Sequence, residues 1–174
     1  MKAFEAILHR NFREKGWRFF LTFLAFMIGG RWWRAFVALL LFSHLLPKDI
    51  ETSEEEILLS LPLRRWEIFL YDFIQGSGIL LLSATFSSFD FIKSILILPY
   101  VYAITVLSSY YKKGNFILPL IVITLDSLFS HTAWGYFSPL AQRSVFGALI
   151  TIVLFVLAFL VYSTDGKIGE GISW

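Results

Sequence analysis

The sequence predicts an all-α integral membrane protein with six transmembrane helices. An N-terminal amphipathic helix would lie on the membrane surface, and a cytoplasmic coupling helix would sit between spans two and three. Three observations predict this. The 174 residues are 57% hydrophobic and 16% charged, with a mean hydropathy of +0.69, whereas an ordinary soluble domain is about 25% charged. Uncharged runs, the clearest at residues 145–162, approach the ~20 apolar residues that cross about 30 Å of hydrocarbon. Eleven of the fifteen Lys and Arg fall in residues 2–18, 48–65, 112–113 and 167, which suits basic clusters on one membrane face. The same composition, with no cysteine, excludes a disordered chain, a disulfide scaffold, a collagen-like repeat and most soluble enzymes.

Residues 1–16 carry Phe4, Ile7, Leu8 and Phe12 at helical spacing, with Lys2, Glu5, His9, Arg10, Arg13 and Glu14 between them. That pattern describes an interfacial helix, and the absence of a small-residue cleavage pattern argues against a signal peptide. Residues 17–47 hold two short apolar runs, 19–30 and 35–47, separated by Arg31, Trp32, Trp33 and Arg34. One reading is a helical hairpin turning at Gly29 and Gly30; the other is a single long helix kinked there. The hairpin leaves only Arg31, Arg34, Lys93 and Arg143 on the face opposite the basic clusters, as the positive-inside bias predicts. It gives six spans with both termini cytoplasmic in the plasma membrane. Trp17, Trp32, Trp33 and Trp134 would be interfacial anchors, and Arg31 and Arg34 would snorkel outward. Residues 68–162 supply four further spans, at 68–89, 91–110, 116–130 and 145–162, and residues 163–174 form a cytoplasmic tail.

The segment 48–67 carries the most information. Ser53 with Glu56 three residues later is a capping-box arrangement, and Glu54, Glu55 and Glu56 place negative charge in a first helical turn, where the helix dipole favours it. Ile57, Leu58, Leu59 and Leu61 give an apolar side, Pro62 stops the helix, and Arg64, Arg65 and Glu67 open the next one. A short acidic-capped helix of this kind can dock into a groove of a soluble partner.

Glu54–Glu56, then Leu58, Leu59, Ser60, Leu61, Pro62, Arg65, Glu67 and Ile68 resemble the cytoplasmic segment between spans two and three of type-2 ABC transporter permeases. The chain is shorter than is usual there, and Asp72 stands where many relatives carry a basic residue. The resemblance implies a membrane subunit of an ATP-driven transporter, working in the export direction. It implies pairing with a second permease copy or a homologous permease, and contact with a separate ABC-type ATPase through Glu54, Glu55, Glu56, Leu58, Leu59, Leu61, Pro62, Arg64 and Arg65. No cofactor would bind directly; ATP and Mg would sit on the partner, consistent with the lack of any G-x-x-x-x-G-K-[ST] motif in this chain. The stretch 131–144 resembles the short external re-entrant segment that such permeases carry before the last span.

Asp72, Gln75 and Asp126 fall at membrane depth, where polar groups are costly enough to mark a pathway or a polar contact. Asp72 sits about one turn inside the cytoplasmic face and suits a structural pair with Arg65 or a neighbouring helix. For Asp126 two readings stand: a bundle-facing structural or substrate role, and a wetted helix end before His131. His9, His44 and His131 are scattered, without metal-ligand spacing or a Ser–His–Asp grouping, so neither a metal site nor catalysis is expected, and no nucleic-acid partner. The rival readings are a substrate-binding membrane subunit of an energy-coupling-factor vitamin importer, an intramembrane enzyme, and a non-transporting scaffold subunit.

Overall fold

A computed structural model describes residues 2–51, 64–86, 91–110, 116–141 and 144–170, and among these every regular element is helical. In chain order they are α1 (Lys2–Ile28), α2 (Arg31–Phe42), α3 (Leu46–Glu51), α4 (Arg65–Thr85), α5 (Phe91–Ser109), α6 (Ile117–Phe129), a 3-10 turn (Ala133–Tyr136) and α7 (Val145–Glu170). Residues Ser53, Glu54, Glu55, Glu56, Leu58, Leu59, Leu61 and Pro62 lie outside the described residues, so the coupling helix expected there does too.

α5 is the hub. Its residues Ile97, Leu98, Tyr100, Val101, Tyr102, Ala103, Ile104, Thr105 and Val106 are all buried, as a helix apolar on every side must be if it is to be stable. α7, α2, α4, α3 and α6 surround it, and α1 packs on the outside of α2 and α4. Pro99 lies inside α5 and does not end it, whereas Pro119 sits in the first turn of α6, where no backbone donor is lost.

The first fifty residues differ from the sequence reading. α1 runs unbroken through position 16, so the surface segment and the first short apolar run form one 27-residue helix. It ends at Gly29 and Gly30, and α2 returns antiparallel to it: Trp17, Arg18, Leu21 and Thr22 share one cavity wall with Leu40 and His44. The elbow needs glycine, because a Cβ on Gly29 would fall 1.7 Å from Cδ1 of Trp33. Arg34 does not snorkel outward. It is 1% exposed, its Nε donates to the Gly29 carbonyl at 3.0 Å, and its guanidinium lies 5.1 Å from the Phe26 ring centroid. Trp33 Nε1 donates to the Ala25 carbonyl at 2.7 Å. Both side chains satisfy carbonyls that the end of α1 leaves open, where the helix dipole also favours a cation.

The expectation of six full spans is corrected as well. Among the described residues only Arg65–Thr85 and Val145–Thr164 are long and apolar enough to cross a bilayer; Gly16–Ile28, Ile95–Ser109 and Ile117–Phe129 are apolar but shorter. The second apolar run, expected to reach residue 47, is cut at Phe42 by a turn at Ser43–Leu45 before α3.

The apolar character of the outer surface nonetheless marks a membrane-associated protein. On α7, Val145, Phe146, Leu149, Ile152, Val153, Val156, Leu157 and Leu160 are exposed, while Gly147, Thr151, Ala158 and Tyr162 face inward. Trp17, Phe20, Leu21, Leu24 and Ile28 form a matching exposed stripe on α1. Soluble monomers rarely expose continuous apolar patches beyond a few hundred Å².

Candidate functional site

Two polar places interrupt this apolar body. The first is at the start of α4. Glu67 caps the helix: its Oε2 accepts from the Arg64 backbone N–H at 2.6 Å, which satisfies one of the open donors at the helix start. Arg65 lies 5.7 Å from the Tyr162 ring centroid on α7. One turn further on, Phe69 meets Tyr102, Phe155 and Phe159 edge to face at 5.1, 5.4 and 5.6 Å, the geometry that aromatic quadrupoles favour. Asp72 then ties three elements together. Its Oδ2 accepts from the Leu46 N–H of α3 at 3.1 Å and from the Tyr102 hydroxyl of α5 at 3.2 Å. Tyr102 is wholly buried, and its single hydroxyl proton is shared between Asp72 and the Phe69 carbonyl at 3.1 Å. Gln75 is buried one turn beyond Asp72 on the same helix.

The second place lies on the opposite face of α5. α6 and α7 both pack on α5 but scarcely touch each other, and the gap between them is a cavity of about 670 Å³. Tyr100 and Ile104 of α5 form its floor, Val122, Leu125 and Phe129 of α6 one wall, and Ile150 and Leu154 of α7 the other. Trp134, Phe137, Ser138 and Pro139 close one end. The stretch from Ser138 to Ala141 is buried although it carries no helix, so the chain dips back into the body after the 3-10 turn. Gly147 permits this: a Cβ there would fall 2.6 Å from the Ser138 carbonyl oxygen.

Asp126 stands in the wall of that cavity, in the last turn of α6 and half-buried. Its carboxylate accepts hydrogen bonds from the Leu140 N–H at 3.2 Å, from Ser138 and from Tyr100. Arg31 holds the same loop from the other side, with Nη1 donating to the Leu140 and Ala141 carbonyls at 3.2 and 2.6 Å. The re-entrant stretch is therefore clamped between Asp126 and Arg31. Asp126 thus both ties the end of α6 to the loop and lines the cavity.

Of the expected anchors, Trp17, Trp33 and Trp134 are exposed, whereas Trp32 is half-buried against the core. Trp134 also lines the cavity. Tyr100, Ser138 and Tyr102 were not singled out by the sequence, and Arg31 was expected at the interface rather than on this loop; each reaches the carboxylate or loop it serves only through the folded chain. Among the described residues no group of His, Asp and Glu could hold a metal ion.

No protein-family model matches the sequence, and no curated protein or solved structure is detectably similar to it.

Proposed function

We propose that the chain is the multi-pass membrane subunit of an ATP-driven exporter, of the type-2 ABC permease kind, that pairs with a second permease and takes its energy from a separate ATPase. The observation that supports this most directly is the knot at the foot of α4. α3 ends at Glu51 and α4 begins at Arg65, so the two elements that flank residues 52–63 in the chain are joined directly by Asp72. Through Phe69, Arg65 and Tyr102 the same foot grips α5 and α7. A push on that segment would move α4, α5 and α7 together, because packed cores shift between discrete arrangements rather than deforming continuously.

In this reading both termini are cytoplasmic, the shorter apolar helices lie at membrane depth alongside the two full-length ones, and the 3-10 turn is external. Short helices are accommodated by local thinning of the bilayer and by assembly with a second subunit. The absence of any phosphate-binding motif leaves ATP and Mg to the partner.

The test is co-expression with ABC-type ATPase chains from the same genome, followed by purification and assay of ATP hydrolysis. The native chain should form a complex and stimulate hydrolysis, and Glu55→Arg and Leu58→Asp should abolish both while leaving the isolated subunit folded. A complex that survives both changes intact would overturn the coupling role of residues 51–67.

A further inference from the structure

We infer that the cavity between α6 and α7 is a binding site for an alkylammonium amphiphile, with the hydrocarbon chain in the gap and the cationic nitrogen at Asp126. The inference needs only that these helices lie in a bilayer; it goes beyond the transporter reading and does not depend on motor coupling. Four features carry it. The cavity, at about 670 Å³, is of a size that takes a small organic ligand. It opens sideways between exposed apolar faces, Val122 and Leu125 on one side and Val153 and Leu157 beside the other wall, so its occupant arrives from the hydrocarbon layer. Its floor and walls are apolar, with the polar groups gathered at one end: Asp126, Tyr100 and Ser138.

The fourth feature is charge. Leu140 N–H, the Ser138 hydroxyl and the Tyr100 hydroxyl all donate to the Asp126 carboxylate. These donors suit the acceptor-only form that pairing with a cation requires. None of the three is a cation. The guanidinium of Arg31, on the far side of the Leu140 peptide, directs Nη1 to carbonyl oxygens rather than to Asp126. A carboxyl group at membrane depth whose partners among the described residues are all neutral is ionised only at a cost, and an ammonium entering along the gap offsets part of that cost by pairing with it. A carboxylate offers about four acceptor sites, which leaves one for the ligand beside the three donors.

The experiment uses the purified full chain, without any ATPase, in nanodiscs of phosphatidylcholine. The probe is hexadecylamine carrying a diazirine near mid-chain, crosslinked by light, with labelled peptides mapped by mass spectrometry. Saturable labelling of α6 and α7 is expected, displaced by hexadecylamine and not by hexadecanol. Asp126→Asn should weaken hexadecylamine about tenfold to a hundredfold, the scale of a lost charge-assisted hydrogen bond. Ile150→Trp fills the gap without touching Asp126 and should abolish labelling, which keeps the inference testable should Asp126→Asn fail to fold. Equal displacement by the alcohol, unchanged amine affinity in Asp126→Asn, or no saturable labelling of the native chain would each overturn it. Adding phosphatidylethanolamine identifies the source: competition means that the site takes the ammonium of a resident lipid, and no competition means that it takes a free alkylamine. Both accord with the inference. Because no ATPase is present, failure of the motor-coupling reading leaves these outcomes unchanged.

Discussion

Replacing Tyr102 by Phe removes one oxygen from the most crowded part of the body and leaves the ring. The ring is held by Phe42, Phe69 and Phe73 at 5.0, 5.1 and 5.2 Å, so the substitution opens almost no cavity. What is lost is one hydroxyl proton shared between Asp72 Oδ2 at 3.2 Å and the Phe69 carbonyl at 3.1 Å. In water-soluble proteins a bond to a charged group is worth about 1.5–3 kcal/mol. Between membrane helices the measured average is about 0.6 kcal/mol, with a maximum near 1.7. For one shared proton in a membrane-embedded knot we therefore expect a loss of about 0.6–1.7 kcal/mol. The assay is reversible unfolding of the purified chain in mixed micelles, titrated with SDS and followed by tryptophan fluorescence and circular dichroism. Part of the loss belongs to the contact with Asp72. In an Asp72→Ala background Tyr102→Phe should accordingly cost about 0.5–1 kcal/mol less than in the native chain. A cost below about 0.3 kcal/mol, or the same cost in both backgrounds, would refute the idea that Asp72 and Tyr102 bind α4 to α5.

Three more expectations follow from the packing. Gly76→Ala should destabilise by about 1–2 kcal/mol, because its Cβ would fall 2.6 Å from Phe42 Cε1 and 3.0 Å from Leu45 Cδ1; Gly78→Ala meets nothing within 4 Å and should stabilise by about 0.5–1 kcal/mol through helix propensity. The same unfolding titration reads both. Gly147→Ala should lose about 1–2 kcal/mol despite its better helix propensity, since the obstacle is the Ser138 main chain at 2.6 Å, and accelerated proteolysis within residues 131–144 would report the displaced loop. The chain contains no cysteine, so single-cysteine labelling in intact cells tests orientation cleanly: Ser163→Cys should react only after the membrane is permeabilised, and Thr132→Cys, at an exposed position, should react from outside.

What the sequence made legible follows from the range of the forces involved. The last helix and its start at residue 145 were readable because one uncharged run decides them, and α4 and α5 differed from expectation by only a few residues at their ends. The first fifty residues were less legible, since a hydropathy reading sends Arg34 to water and has no access to the open carbonyls of α1 that bind it. Span number failed for a related reason: apolar runs were present, but turns at Gly29, Ser43 and Ser130 end the helices early. Asp126 and Asp72 were visible as polar residues in apolar runs. Their partners were not, because Tyr100, Ser138, Leu46 and Tyr102 reach them only through tertiary packing.

The two-sided character of α7 also bears on how this sequence can change over time. On the outward side, at Leu149, Val153, Val156 and Leu160, the surroundings ask only for bulk and greasiness, so Leu, Ile, Val, Phe and Met should interchange there almost freely. On the inward side, at Gly147, Thr151, Ala158 and Tyr162, each position is fixed by the shape of a particular neighbour. Permissible drift along this helix should therefore rise and fall with a period of about 3.6 residues, an imprint that would remain readable in descendants too diverged to be recognised by any other part of the chain.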